Sequence, residues 1–568
     1  MDDLAKFANL TNSRVLQYPT LPPRNFYLQD EIFRHFMRRL SPAAQSYIEA
    51  SWELLGEQVT SSMDRLSLEA DQNGPTLSLR DLYGEPHEQV QFHPSYHQLM
   101  GMAVSSNMLR AKWEPTARSQ HQGNRNFLSF GGFFLFSQGE AGIGCPLCMT
   151  DGAATVLDRY GDEEMRARIM PQIFTSNAQD FFSGAMFMTE KAGGSDVGAN
   201  VVQAISQPDG TYQLFGEKWF CSNVNAEVIL ALARTPDSVS GIRGLSLFLI
   251  ERNRQDGTRN WLGIQRLKDK LGVRSMASAE CVLNGTEARL IGEEGDGFKL
   301  MASMVNLSRI YNSMSGLALM RRAMIEVWYF LSGRISFGKP AMDHPLIRTK
   351  LMDIGANYLA NFYLTWHMVV LSEQAEQGNL EAIAELRFLT PLAKKTVAAD
   401  AVEMIQACME LMGGIGYIEQ GIMPKLMRDA LVLPIWEGAS NIMVLDMLRA
   451  SEKSEGLDIA CQHLARRLAR NSEVPHLALE FDQVRTLFGE LEEHPQEIRE
   501  ASSKPLFEAF ARMYQWNLMR RYRDETSVKW LRPATKYWQK KHWEKELNLF
   551  APPSREDLAD LWGWMMES

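Results

Sequence analysis

The sequence predicts an α+β fold that is mainly α, with a small β unit set between helical regions. Three observations carry this. Apolar residues recur at helical spacing in several pieces between about 90 and 180, and again in long runs between 297 and 449. Between about 185 and 290 the pattern changes to short β-rich runs separated by turn signals. At 568 residues the chain is too long for one core, which implies three or four domains or layers and leaves room to enclose a large cofactor.

Taken in order, residues 1–55 are an N-terminal extension, irregular around Pro19, Pro22 and Pro23 and helical in pattern from Asp30 to Leu55. Residues 56–183 form an N-terminal helical domain whose clearest helices run from Tyr96 to Trp113 and from Leu147 to Tyr160. Residues 184–292 are the β domain. There Val201–Ser206, Tyr212–Phe215, Val228–Arg234 and Leu245–Glu251 alternate or run apolar, and Gln207-Pro208-Asp209-Gly210 supplies hairpin-turn chemistry, so a small barrel or sandwich fits. Residues 293–450 hold the long patterns Phe298–Leu331, Pro345–Glu376, Glu381–Met412 and Asn441–Arg449, which predict an antiparallel four-helix bundle. Its methionines, such as Met301, Met304, Met314 and Met320, suit adaptable core packing. Residues 451–568 are a C-terminal helical extension that turns basic and aromatic near its end.

Composition narrows the function. A formal net charge of -10 argues against a molecule built as a whole to adhere to polyanions. Six sparse cysteines point to a reducing, cytoplasmic setting rather than a disulfide framework, and neither a signal or transit peptide nor an apolar run of membrane-spanning length is evident. Cys145-Pro146-Leu147-Cys148 has no second pair to complete a zinc site, and His93 and His97 flank Pro94, which suits a helix start, so no metal is expected. No Gly-x-Gly-x-x-Gly follows a strand and no Gly-Lys-Ser/Thr loop occurs, which leaves nicotinamide Rossmann enzymes and P-loop NTPases without support.

One stretch stands out for chemistry: Leu433-Pro434-Ile435-Trp436-Glu437-Gly438-Ala439-Ser440-Asn441. Ile435 and Trp436 would desolvate the Glu437 carboxylate and raise its pKa toward what a general base needs near neutrality. Gly438 permits close approach of a ligand or backbone, and Ser440 or Asn441 is placed to start the next helix. The competing reading is an acidic residue placed only to suit a helix dipole.

Upstream lie Met186-Phe187-Met188-Thr189-Glu190-Lys191-Ala192-Gly193-Gly194-Ser195-Asp196, then Gly216-Glu217-Lys218-Trp219-Phe220-Cys221-Ser222-Asn223, Gly333-Arg334-Ile335-Ser336-Phe337-Gly338-Lys339-Pro340, and Leu411-Met412-Gly413-Gly414-Ile415-Gly416-Tyr417. In this order and at these separations the motifs resemble the acyl-CoA dehydrogenase family over about residues 180 to 450. The flanks, with Asn25-Phe26-Tyr27-Leu28-Gln29-Asp30 and Phe92-His93-Pro94-Ser95-Tyr96-His97, look like its AidB-like branch. The resemblance implies a helical domain, a β-barrel or sandwich and a four-helix bundle, with FAD between the β domain and the bundle. It places Met186, Met188 and Thr189 against the flavin ring, Gly194 and Ser195 near the cofactor diphosphate or the ligand, and Phe220 and Ser222 where the family has a tryptophan and a threonine. Arg334 and Ser336 match residues that reach a neighbouring subunit's flavin, which implies an oligomer, in related enzymes a homotetramer. Glu410, Gly413 and Gly414 fall on a further cofactor-binding motif, and Asn441 stands in for a hydrogen bond lost where Ala439 replaces the usual threonine. Pro345 takes a place where glutamine is common. Arg309 aligns with an arginine near the active cavity, so that Ser195, Arg309, Glu437 and Gly438 become candidate substrate contacts, with Glu437 or the ligand as the arginine's natural partner.

The implied chemistry is α,β-dehydrogenation of an acyl-CoA or other acyl thioester in fatty acid metabolism. Glu437 takes the α-proton, the β-hydrogen leaves as hydride to the flavin, and hydrogen bonds to the carbonyl stabilise enolate charge. An electron-transfer flavoprotein is one candidate acceptor, and an oxidase passing electrons to oxygen is an alternative. The other is a flavoprotein that binds DNA or sequesters acyl-CoA. For DNA, Arg512 to Lys545 interleaves basic and aromatic residues, including Arg520, Arg521, Arg523, Trp516, Trp530, Trp538 and Trp543. Against it, the aromatics recur at helical spacing, and Asp524, Glu525, Glu544 and Glu546 dilute the charge.

Overall fold

The computed structural model describes residues 21, 24–470, 474–526, 528–544 and 553–563. Pro19, Pro22, Pro23, Lys545 and Glu546 lie outside the described residues. The single pattern from Asp30 to Leu55 becomes two helices, α1 (Glu31–Met37) and α2 (Pro42–Gln58). Ser41 accepts from the Ala44 N–H and Pro42 takes a first-turn position, so a new helix starts there. After α3 (Ser62–Gln72) comes a hairpin, β1 (Thr76–Arg80) and β2 (Pro86–Gln91). The expected helix Tyr96–Trp113 is also two, α4 (Pro94–Ser105) and α5 (Met108–Trp113), because Asn107 turns left-handed at φ 62. His93 caps α4 by accepting from the Ser95 N–H, the helix-start role. Helices α6 (Pro115–Gln120), α7 (Arg125–Ser137), α8 (Gly144–Tyr160) and α9 (Glu163–Ile173) complete this region.

The β domain holds β3 (Gly184–Phe187), β4 (Gln203–Ser206), β5 (Tyr212–Ser222), β6 (Val228–Arg234), β7 (Leu245–Glu251), β8 (Ile264–Leu267) and β9 (Ser278–Ile291). Pairings run β6 to β4, β4 to β5, β5 to β9, β9 to β7 and β7 back to β6, so the sheet closes on itself as a barrel rather than a sandwich. Strand β6 is apolar at successive positions because both its faces are buried: Ile229 and Ala231 fill the barrel while Leu230 and Leu232 join the helical core. The turn at Gln207–Gly210 joins β4 to β5 as expected, with Gly210 at φ 84.

The bundle consists of α10 (Gly297–Gly333), α11 (Pro345–Glu376), α12 (Leu380–Met412) and, after the short α13 (Ile422–Ala430), α14 (Ser440–Lys453). A two-residue hairpin, β10 (Ile335–Ser336) with β11 (Lys339–Pro340), separates α10 from α11. Helices α10 and α12 pack closely: a Cβ on Gly316 would lie 3.3 Å from Val397 and 3.5 Å from Ala401. Met301, Met304, Met314 and Met320 are wholly buried, as core packing requires.

The extension contributes α15 (Gly456–Leu468), α16 (Pro475–Glu492), α17 (Gln496–Thr526), α18 (Leu531–Trp543) and α19 (Arg555–Trp562). It is bound to the bundle by charge pairs, Arg512 to Asp400 at 2.7 Å and Lys541 to Asp353 at 2.5 Å. Trp516, Trp530, Trp538 and Trp543 are buried, Arg521 pairs with Glu525 and Arg523 with Asp524. These four indoles therefore pack internally instead of facing solvent. Among the described residues no helix is long and apolar enough to cross a membrane.

Candidate active site

Between α13 and α14 the chain winds through turns that carry Glu437. Asn312 on α10 donates to the Leu433 carbonyl at 3.1 Å and so fixes the entry to this loop. Glu437 itself is left-handed, φ 57, and Gly438 follows at φ 101. A residue with a side chain in that region costs about 1–2 kcal/mol relative to the right-handed one, and such strain clusters at functional sites. Gly438 has no room for a side chain, since a Cβ would stand 2.4 Å from Met443 Cε. Helix α14 is preceded by Ala439 as its cap, with no side-chain capping bond, which corrects the expectation that Ser440 or Asn441 would start it in that role.

The Glu437 carboxylate meets α10, where the Ser308 hydroxyl donates a short hydrogen bond to Oε2. The next residue, Arg309, gives Nε to the Glu437 carbonyl at 3.2 Å and its terminal nitrogen to Asp446 at 2.6 Å. Asp446 is held from its other oxygen by Arg387 at 2.6 Å. Arg309 was expected to pair with Glu437 or a ligand; its charge partner is Asp446, and Glu437 offers it only backbone. Lys394 on α12 donates to the Gly438 carbonyl at 2.7 Å. Burial raises the Glu437 pKa above the ordinary carboxylate value, while Ser308, Lys394 and Arg309 pull it partly back.

On the α8 side stand two thiols. Burial and then the Glu437 charge push Cys145 up to about 12 and Cys148 well above its usual value, so both stay protonated. Lys270, which acts electrostatically on Cys145, is itself pushed down to about 8 by burial. Its ammonium donates to the Met276 carbonyl at 2.5 Å and to Ser278 Oγ at 3.3 Å, and Ser278 Oγ lies 3.1 Å from Ser222 Oγ.

In the β domain the expected cofactor residues converge. Met186 lies on β3, with Met188 and Thr189 just past its end. The Thr189 carbonyl accepts from the Trp219 N–H at 2.9 Å, which straps this loop to β5, and the Met188 carbonyl accepts from Asn200 Nδ2, ahead of β4, at 2.7 Å. Glu190 is buried and paired with Lys218 at 2.7 Å, so the acid beside Thr189 is structural. On β5, Phe220 is 53% exposed and Ser222 is half-buried. Gly194 and Ser195 are exposed further along the loop. The Lys268 ammonium lies 4.6 Å from the Phe220 ring centroid, and a half-exposed aromatic beside hydroxyls suits a planar ring with a polar edge.

Two other sets of residues do not join this centre within one chain. From Arg309 to Gly333 helix α10 runs 24 residues, about 36 Å, before Arg334 and Ser336 appear on the hairpin. From Lys394 to Met412 helix α12 runs 18 residues, about 27 Å, placing Glu410, Gly413 and Gly414 distant from Glu437. Nothing lies within 4 Å of a Cβ built on Gly413 or Gly414, so both glycines leave an open backbone surface. Asn441 is exposed on the first turn of α14.

Sequence reasoning missed Ser308, Lys394, Asp446 and Lys270. The available signal was polarity out of place: Lys394 follows Pro391-Leu392-Ala393 in a helix that is buried on most sides, and Ser308 precedes a buried arginine. Among the described residues no cluster of three metal-binding side chains occurs.

Three family models match the chain: the acyl-CoA dehydrogenase C-terminal domain over 295–451, the acyl-CoA dehydrogenase middle domain over 185–286, and the adaptive response protein AidB N-terminal domain over 17–180. The chain is 32% identical over 472 residues to acyl-CoA dehydrogenase family member 11 of Caenorhabditis elegans, covering 80% of this chain and 75% of that protein. It is 33% identical over 442 residues to the putative acyl-CoA dehydrogenase AidB of Escherichia coli strain K12, covering 76% and 79%. The solved structure of Caenorhabditis elegans ACDH-11 in complex with C11-CoA superposes with a TM-score of 0.83 at 27% identity, covering 97% of this chain and 92% of that one.

Proposed function

The chain belongs to the acyl-CoA dehydrogenase family, and from that premise we propose that it oxidises an acyl thioester at its α,β bond with Glu437 as the base. The cofactor of this family is FAD, as in the solved acyl-CoA dehydrogenase of Bacillus anthracis complexed with it, and the residues present fit it. Thr189 and Ser222 offer hydroxyls, Phe220 a half-exposed ring, and the Trp436 indole N–H, next to Glu437, is buried without an acceptor among the described residues. Met186, Met188, Thr189, Phe220 and Ser222 would hold the flavin ring. When bound, FAD supplies the hydride acceptor.

The observation that carries the reading is Glu437 itself: a carboxylate in a strained backbone position, its pKa raised by burial and its carboxylate oriented by Ser308. Ionised, it takes the α-proton onto a carboxylate oxygen. Its own backbone N–H is the proposed donor to the thioester carbonyl, where enolate charge develops. Arg309 holds the Glu437 carbonyl and Lys394 the Gly438 carbonyl, so the two peptides that follow the base are fixed in succession. Trp436, packed against the helical core, helps to exclude water, whereas Ile435, expected to share that role, is 68% exposed. Gly194, Ser195, Glu410, Gly413, Gly414 and Asn441 serve the extended parts of cofactor or substrate, and Arg334 and Ser336 serve a neighbouring subunit's site in a homotetramer.

The substrate is an acyl-CoA, supported by the C11-CoA complex of the related ACDH-11. An electron-transfer flavoprotein is the proposed acceptor. The test is anaerobic bleaching of bound flavin across a panel of acyl-CoAs of increasing chain length. Bleaching by at least one supports dehydrogenation; acyl-CoA binding without bleaching would assign the protein a sequestering role instead.

A further inference from the structure

Glu437 and Gly438 occupy two consecutive left-handed positions, φ 57 and φ 101. A loop of that shape holds only where its surroundings over-determine it. Three side-chain donors do so here, each aimed at a carbonyl: Asn312 at Leu433, Arg309 at Glu437 and Lys394 at Gly438. Asn312 is neutral, and Arg309 is neutralised by Asp446. Lys394 differs from both. Its side chain is wholly buried, and its ammonium lies at 2.7 Å from a neutral carbonyl, where an apolar residue would avoid the cost of burying charge.

The groups that face Lys394 explain what such a cation does. Glu437 acts on it as the opposite charge and Arg309 as a like charge, with Asp446 and Arg387 beyond Arg309. The Glu437 charge also acts on the buried thiols of Cys145 and Cys148 on α8 and raises both. Burial brings the ammonium down to about 7, and the Glu437 charge opposes that shift, while burial raises the carboxyl's own pKa.

We propose that Lys394 is a positioning residue of the reaction: through the Gly438 carbonyl it fixes the peptide that follows Gly438 and with it the left-handed turn that carries the base, and as a cation it favours the ionised form of the base. This rests on the reading of Glu437 as that base. The sign follows directly. A nearby cation lowers a carboxyl's pKa, so removing it raises the pKa, and the rising limb of the rate against pH moves to higher pH.

The experiment uses the full-length FAD-loaded protein and two variants. Lys394→Gln keeps a donor and removes the charge; Lys394→Met removes both. Anaerobic flavin reduction by a reducing acyl-CoA is followed across pH, with binding of a non-reducible 3-thia-acyl-CoA and flavin content measured alongside. In Lys394→Gln the limb is expected to rise by about one pH unit. Lys394→Met is expected to add a loss of roughly 10²-fold that high pH does not restore, the size of effect that misplacement of a reacting group produces. Binding and flavin content stay within about threefold, the split of kcat from KM that a positioning role requires. An unshifted limb in Lys394→Gln overturns the inference, as does a proportional loss of rate, binding and flavin together, which would make Lys394 merely structural; if Lys394→Met fails to fold, Lys394→Gln still decides. Failure of the underlying reading is separate: it would show as wild-type reduction by Glu437→Gln.

Discussion

Ser308 and Glu437 meet as donor and acceptor across 129 residues of sequence, and the bond works against burial. Burial raises the carboxyl's pKa, and the Ser308 hydroxyl lowers it by favouring the charged form. Ser308→Ala should therefore raise the pKa further and shift the rising limb of flavin reduction to higher pH. The variant should be slowest relative to wild type at neutral and acidic pH and converge with it in alkali. Stopped-flow reduction at a series of pH values measures this, and an unmoved limb would show that Ser308 does not act on the base.

Glu437→Gln is nearly isosteric and keeps the backbone N–H, so the fold, the flavin and acyl-CoA binding should remain. Only basicity is lost. A positioned general base contributes roughly 10²- to 10⁴-fold, and the anaerobic reduction rate should fall by that factor. Reduction at the wild-type rate would place the base elsewhere.

The backbone at Glu437 gives a prediction independent of catalysis. At φ 57 a glycine is relaxed and an alanine strained by about 1–2 kcal/mol. Glu437→Gly should therefore melt at or above Glu437→Ala, reversing the usual order in which glycine is the less stable by roughly 0.5–1 kcal/mol in regular structure. Both variants lose the same carboxylate and the same bond from Ser308, so the comparison isolates the strain. If the alanine variant melts higher, the loop is not held in this conformation.

These relationships mark where the sequence stops being legible. Strands β6 and β7 have the bounds expected from their apolar runs, because burial on both faces leaves a signal that needs no partner to read. The hairpin of β1 and β2 was missed because most of its residues are exposed, which removes the alternation that marks a half-buried strand. Glu437 was legible as a carboxylate between Trp436 and Gly438. Ser308 and Lys394 were not, since their roles depend on which turns of α10 and α12 face a loop far along the chain, and helical periodicity only marks a residue as inward. Arg309 shows the same limit: its burial was anticipated, and its partner Asp446 is fixed by the packing of α14.

Arg334 supports the last prediction. It follows a helix that carries it about 36 Å from Arg309, so if it serves a flavin diphosphate, that flavin belongs to another subunit. The hairpin that bears it has the surface of an interface: Phe337 at its tip is 97% exposed, with Ile335 at 59% and Leu346 nearby at 86%. Single exposed apolar residues are ordinary, but a large aromatic at a hairpin tip beside two aliphatics suits a covered surface. The protein should therefore sediment as a closed oligomer, at least a dimer and in the proposed form a tetramer. Phe337→Asn removes the apolar contact while tolerating φ 48, since asparagine accepts left-handed backbone better than most residues. It should weaken the oligomer and, on dilution, release flavin in step with dissociation, as sedimentation velocity with absorbance at flavin wavelengths would show. A flavin-loaded monomer at micromolar concentration in the wild type would exclude a shared site and leave Arg334 a surface residue of its own chain.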